Sequence, residues 1–416
     1  MLNTVINEFR KMYGEGPEVV CSAPGRLDFL NTHQDYKGLP VVSVAINLRT
    51  YIALKRLNES KVRIASGNLL DEGTEYIDEF SVMESELESK YKWFGNYVRA
   101  AIIALRQAGY KVGGFIGWIR SEVPIAAGLG SSGTLLVSII TALNKLFNLQ
   151  LSVKDIAELA YRAEHDVMKI PCGRLDQYAS AFGGVALIET IPPYNVEVLK
   201  WSGGVFAVID SGIKHSTAEI HPQRQREIEE GLRKLMEVAP PNLRKLLGYR
   251  YWEPQWRELR LEMLQPYLDS LDEKARNRIV YTIKAHRSTM LAVKILKGLE
   301  VTEQEIISVL EVDTLKAREL YLAGSQALIG YIMTYQHKLL SDLYDVSLPE
   351  LDSIVNAFIE NGAYGAKLSG AGLGGCVIAL FSNEEKAQKA VEDMLSRKLG
   401  RQGWVVKVDI GATCHM

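Results

Sequence analysis

Between residues 124 and 148 the chain reads PIAAGLGSSGTLLVSIITALNKLFN, a glycine and serine loop that runs straight into an apolar helical pattern. Gly128 and Gly130 carry no Cβ, so the backbone there can take φ > 0 and approach a ligand closely. Ser131 and Ser132 fall where the helix begins, and free N–H groups and the positive end of the helix dipole collect at such a point. The run Gly128, Leu129, Gly130, Ser131, Ser132 therefore reads as a cradle for phosphate. The same residues also suit a plain N-cap after a tight turn, so the rest of the chain has to decide.

Periodicity sets that loop in an α+β protein. An amphipathic helix is expected over residues 2–12, a strand over 19–22 leading into a polar loop, and strands over 41–55 from a β-branched run. Alternation over 62–80, helical spacing over 91–109 and a strand over 115–123 precede the loop; a second helix over 153–167 follows it. Strands over 184–189 and 204–210 flank Ile191, Pro192 and Pro193, a turn that marks a domain boundary. Residues 221–361 are almost wholly helical, and strands return over 376–381 and 404–408. Helices segregated after a β-rich first third are unlike the regular alternation of a doubly wound sheet.

Length makes two domains the natural solution: 416 residues, 47% of them hydrophobic, exceed what one core usually holds. They are expected at 1–191 and 192–416. Lys and Arg total 48 against 50 Asp and Glu, a balance that leaves no basic footprint for nucleic acid or an anionic membrane. The four cysteines, Cys21, Cys172, Cys376 and Cys414, have no paired spacing suited to zinc or a redox motif, which points to reduced thiols. No signal-peptide core and no run of transmembrane length occur. A cytoplasmic protein, monomeric or a weak homodimer, is expected.

Two further glycine-containing motifs accompany the loop. SAPGRLDFLNTHQDYKGLPVVSVAI begins at Ser22, and KLSGAGLGGCVIALF begins at Lys367. In order and spacing the three resemble the motifs of the galactokinase, homoserine kinase, mevalonate kinase and phosphomevalonate kinase (GHMP) superfamily. Gly25, Arg26, His33, Asp35 and Tyr36, with RLDQYASAFGG from Arg174 and VSLPELD from Val346, resemble its galactokinase branch. The resemblance spans nearly the whole chain. It implies two domains with the active site in the cleft between them, ATP as co-substrate, Mg²⁺, and phosphoryl transfer to the anomeric hydroxyl of galactose or a close relative.

Residue by residue, the resemblance makes Asp176 the catalytic carboxylate, with Arg26 beside it as a fixed positive charge. A helix N-cap is the other reading of Asp176. His33, Asp35 and Gly173 would line the sugar, although His33 and Asp35 also suit turn hydrogen bonds. Ser132 and Glu164 resemble the magnesium ligands; the alternative for Glu164 is an exposed helix glutamate. Trp93 or Phe94 resembles the aromatic that contacts adenine, unless it is core. Gly370, Gly372, Gly374 and Gly375 would pack on the nucleotide side. Gly133 stands where alanine is usual, a change the loop is expected to tolerate.

Two departures bear on substrate. Thr32 replaces the glutamate that contacts the C6 hydroxyl, and His221 replaces a sugar-contacting tyrosine. Losing a negative charge and gaining an imidazole would suit galacturonate, or arabinose with no C6 at all, as well as galactose. A catalytically silent sugar sensor is the alternative of another class.

Overall fold

The computed structural model describes residues 1–90, 93–125, 127–201, 203–213 and 217–416, the side chains of 217–219 excepted. Ala126 of the glycine loop, residues 91 and 92 of the helix expected from 91, and residues 214–216 of the stretch before His221 lie outside this set.

Two sheets organise the molecule. The first contains β1 (Val19–Leu30), β2 (Val41–Arg56), β3 (Lys61–Ser66), β4 (Ile77–Ser81), β5 (Phe115–Ser121), β6 (Val185–Ile188) and β7 (Val196–Leu199). The second contains β8 (Val205–Asp210), β9 (Gly365–Ser369), β10 (Cys376–Phe381) and β11 (Gln402–Val406), and the last strand, β12 (Thr413–Cys414), goes back to the first. The first sheet runs β12-β1-β2-β5-β3-β4, with β6 on β2 and β7 on β6; the second runs β11-β8-β10-β9. Every ladder is antiparallel except β3 with β5. This is the mixed, two-sheet arrangement that the segregated periodicities imply.

Helices Phe94–Gln107, Ser131–Phe147, Val153–Arg162 and Leu175–Phe182 bury their apolar residues with the first sheet. A second core, from Leu27 and Phe29 through Phe206 and Val208 to Leu291 and Met333, contains residues of both sheets and binds the two halves together. The long helices Thr217–Val238, Glu273–Leu296 and Ser325–Asp342 belong to the second half.

Four expectations change. The strand expected to stop at residue 22 continues to Leu30, because the polar residues of the first motif alternate with Leu27 and Phe29, which are fully buried. A strand, β7, follows the proline pair and pairs with β6, so the first sheet runs past residue 191. Gly365–Ser369 is a strand of its own before the third glycine loop. Cys21 and Cys414 are joined in a disulfide, not reduced; they face each other in the β1–β12 ladder, which spacing could not reveal at a separation of 393 residues. Cys172 and Cys376 are free. No helix among the described residues is long and apolar enough to cross a membrane.

Candidate active site

β1 places Arg26 and Asp28 on one face while Leu27 and Phe29 anchor the other in the core. The Arg26 guanidinium reaches Asp176 Oδ1 from Nε at 2.8 Å and from a terminal nitrogen at 2.6 Å. Its other terminal nitrogen donates to the Gly128 carbonyl, and its backbone N–H donates to the Leu129 carbonyl at 3.0 Å. One arginine thus ties the glycine loop to the carboxylate. Asp176 is the second residue of its helix, whose N-cap is Arg174, so the N-cap reading falls.

The loop helix begins at Ser131 with Gly130 as N-cap at φ 76°, and no side chain caps it. Ser131 and Ser132 are therefore first-turn residues, and the amides there lack a side-chain partner, as an anion site requires. The Ser132 hydroxyl lies beside Glu164, and Gln177 Nε2 donates to Glu164 Oε2 at 2.6 Å. Glu164 sits in a π-helical turn, Ala163–Val167, and is 5% exposed. The widened turn aims it inward, which excludes an exposed helix glutamate. Burial foremost, and Asp176 in addition, raise its carboxyl pKa.

Two cavities flank this cluster. One of about 1270 Å³ is lined by Asp35, Tyr36, Gly173, His221, Tyr251 and Trp252 among others. The other, about 330 Å³, is lined by Trp93, Phe94, Ser131, Leu135 and Ile125 among others. Trp93 Nε1 donates to Asp78 at 2.8 Å, and Asp78 also pairs with buried Arg99, so the indole is pinned at the wall. Both aromatics line the same space as the helix start. A Cβ on Gly173 would lie 2.3 Å from Asp35 Oδ2, so only glycine lets that carboxylate in. Burial, and then the charge of Asp28, push the Asp35 carboxyl up to about 6.

Thr32 and His33 are placed differently. Thr32 is 2% exposed; its hydroxyl accepts from Lys367 Nζ at 2.9 Å and donates to Asp28 Oδ1 at 3.1 Å. It lines neither cavity. His33, at φ 62°, donates from Nε2 to the Ala371 carbonyl at 2.9 Å and packs against His221 with ring centres 5.0 Å apart. Burial, then His221, holds its imidazole well below the ordinary range. Asp28 and Lys367, the partners of Thr32, were not singled out from the sequence. The alternation of β1, once seen to pass through the first motif, would have found Asp28.

The fold is that of the GHMP kinases. Residues 96–184 match the model for the GHMP kinases N terminal domain, and residues 317–400 match that for the GHMP kinases C terminal. Residues 7–56 match the galactokinase galactose-binding signature. A galactokinase of Pyrococcus furiosus is 31% identical over 402 residues, 94% of this chain and 96% of that one. One of Roseiflexus is 30% identical over 377 residues, 89% of this chain and 85% of that one. Lactococcus lactis galactokinase, solved with galactose, superposes with a TM-score of 0.77 at 25% identity over 99% of both chains. The chain belongs to the galactokinase family.

Proposed function

We propose that the protein is an ATP-dependent sugar kinase that transfers the γ-phosphoryl group to the anomeric hydroxyl of galactose. The carrying observation is the Arg26–Asp176 pair, bonded to the glycine loop, with the charge of Asp176 felt at Asp35 of the large cavity. Sugar would occupy the large cavity and adenine the small one against Trp93 and Phe94. Phosphoryl transfer demands positioning and charge neutralisation more than covalent chemistry. Asp176 receives or orients the hydroxyl proton, Arg26 keeps a fixed positive charge beside it, and the loop amides with Ser131 and Ser132 hold the phosphates.

Ser132 and Glu164 offer a hydroxyl and a carboxylate in contact, hard oxygen donors that suit Mg²⁺. Among the described residues no group of three or more His, Cys, Asp or Glu is arranged for a metal, so the other ligands would be phosphate oxygens and water. When bound, the ion would neutralise phosphate charge. A cytoplasmic setting follows from the need for ATP. In a reducing compartment the Cys21–Cys414 bond would have to persist against the thiol pool. No nucleic-acid or membrane partner is proposed, and the oligomer proposed is a monomer or weak homodimer.

The test is ADP release with galactose, arabinose and galacturonate as acceptors. Galactose should give the highest kcat/KM. Sugar and ATP binding without turnover on any of them would overturn the reading in favour of a silent sensor.

A further inference from the structure

Thr32 cannot hold the sugar where the family's glutamate would, because both of its hydroxyl bonds are made inside the protein. Following those bonds leads to another acid. Lys367 is fully buried and spends its three donors on the Asp28 carbonyl at 3.0 Å, the Leu368 carbonyl at 2.7 Å and Thr32. None is left for a substrate. Thr32 passes the polarity on to Asp28 Oδ1, and the Asp28 backbone N–H donates to Ser369 Oγ at 3.0 Å. Asp28 is thus held at its backbone and at one carboxylate oxygen.

The second oxygen, Oδ2, has no hydrogen bond among the described residues, and it is absent from the buried polar atoms left without a partner, so the 6% exposure of Asp28 includes it. Its direction follows from the strand. Asp28 lies two residues from Arg26 and shares its face of β1, the face that meets Asp176. Asp28 also acts on Asp35 of the large cavity, and Arg26 and Asp176 act on Asp28. Asp28, like Thr32, lies outside the lining of both cavities, but it shares with Arg26 the strand face that meets Asp176, where the reacting sugar hydroxyl must lie.

We infer that Asp28 Oδ2 binds a hydroxyl of the sugar, a specificity contact that Thr32 and Lys367 hold in place from behind. This rests on the sugar-kinase reading above. A carboxylate there accepts from a neutral sugar and repels a uronate, so it separates galactose from galacturonate in the sense opposite to the one Thr32 alone suggests.

The experiment is a cycle of Asp28→Asn against galactose and the deoxygalactoses lacking the 2-, 3-, 4- or 6-hydroxyl, read as kcat/KM for sugar and KM for ATP. Asparagine keeps the shape and an acceptor for Thr32. Wild type should lose roughly tenfold or more on one deoxy sugar, the variant should lose little further on that sugar alone, and KM for ATP should hold. Galacturonate should gain on galactose by roughly tenfold in the variant. If Asp28→Asn does not fold, Thr32→Val, which frees Oδ1 and one Lys367 donor but leaves the Asp28 backbone bonds in place, should raise KM for galactose severalfold at constant KM for ATP. Equal penalties across the deoxy series in wild type and the folded variant would overturn the inference and leave the kinase standing, as would an unchanged galactose KM in Thr32→Val. No turnover of any sugar by wild type would overturn both.

Discussion

Arg26 grips Asp176 through one oxygen, Oδ1, from two nitrogens. Oδ2 stays available for an incoming hydroxyl. Asp176→Asn preserves the shape and removes the charge that takes or orients the proton, so turnover should fall about a hundredfold or more while both KM values change little. Single-turnover kinetics would check this, and a near-normal rate would remove Asp176 from the mechanism. Asp35 sets a pH dependence. With its carboxyl at about 6 in the fold and about 4 in an unfolded chain, the folded state holds the extra proton between those values. Stability therefore falls as pH rises through that window, while the anion, the stronger acceptor, forms above it. Sugar kcat/KM should climb through about pH 6 and then level, and Asp35→Asn should abolish the inflection; a profile already flat in wild type would refute this. Arg26 and Asp176 could be picked out because each sits in a motif of fixed spacing, and the structure brings the two into contact. The setting of Thr32 could not, since its partner Lys367 lies 335 residues away.

At the scale of elements, the loop helix and the helix that carries Asp176 meet at Gly133. A Cβ there would lie 2.8 Å from Asp176 Cβ and 3.2 Å from its carbonyl carbon. Glycine at this position is thus a packing requirement of this chain, more than a change the loop tolerates. Gly133→Ala should move Asp176 relative to the phosphate loop and lower kcat by roughly ten- to a hundredfold with ATP binding retained. Steady-state kinetics beside nucleotide titration separates the two effects, and an unchanged kcat would mean the helices part without cost. Most of the long helices and the strands of strong β-branched character were readable from periodicity. The short strands β7, β9 and β12 were not, because four or five residues, or two, carry too little pattern and take their place from partners elsewhere in the chain. The inward turn of Glu164 belongs to the same group: helical spacing predicts a helix through residue 167 but not a π-helical last turn.

Across the whole molecule, the chain leaves the first sheet after β7, builds the second half and returns. Arg49 secures the return, donating to Asp409 at 2.8 Å, to the carbonyls of Ile410 at 2.9 Å and Gly411 at 2.8 Å, and to Ser22. His415 adds a bond to Ser22 Oγ at 2.8 Å, and the Cys21–Cys414 disulfide makes the closure covalent. Opening it by Cys414→Ser should cost about 2–5 kcal/mol of stability, chiefly through the freer unfolded chain in the entropic account. Thermal denaturation would show a lower midpoint for the variant, with galactose KM unchanged because the bond sits near the start of β1, ahead of Arg26 and Asp28, and lines neither cavity. An identical midpoint would mean the bond adds nothing to stability.

That closure also fixes how the protein answers to traction. Between Cys21 and Cys414 the polypeptide is a ring, so tension applied across it is carried by the sulfur bridge and cannot draw out the residues between. A processive unfolding machine that reaches the ring meets a covalent junction, and beyond it must admit two strands side by side. Cutting the bridge would release the 393-residue span, roughly 1,400 Å of extended chain at about 3.5 Å per residue. For this molecule, resistance to being pulled apart is a property of one bond at the rim of a sheet, independent of how well either half is packed.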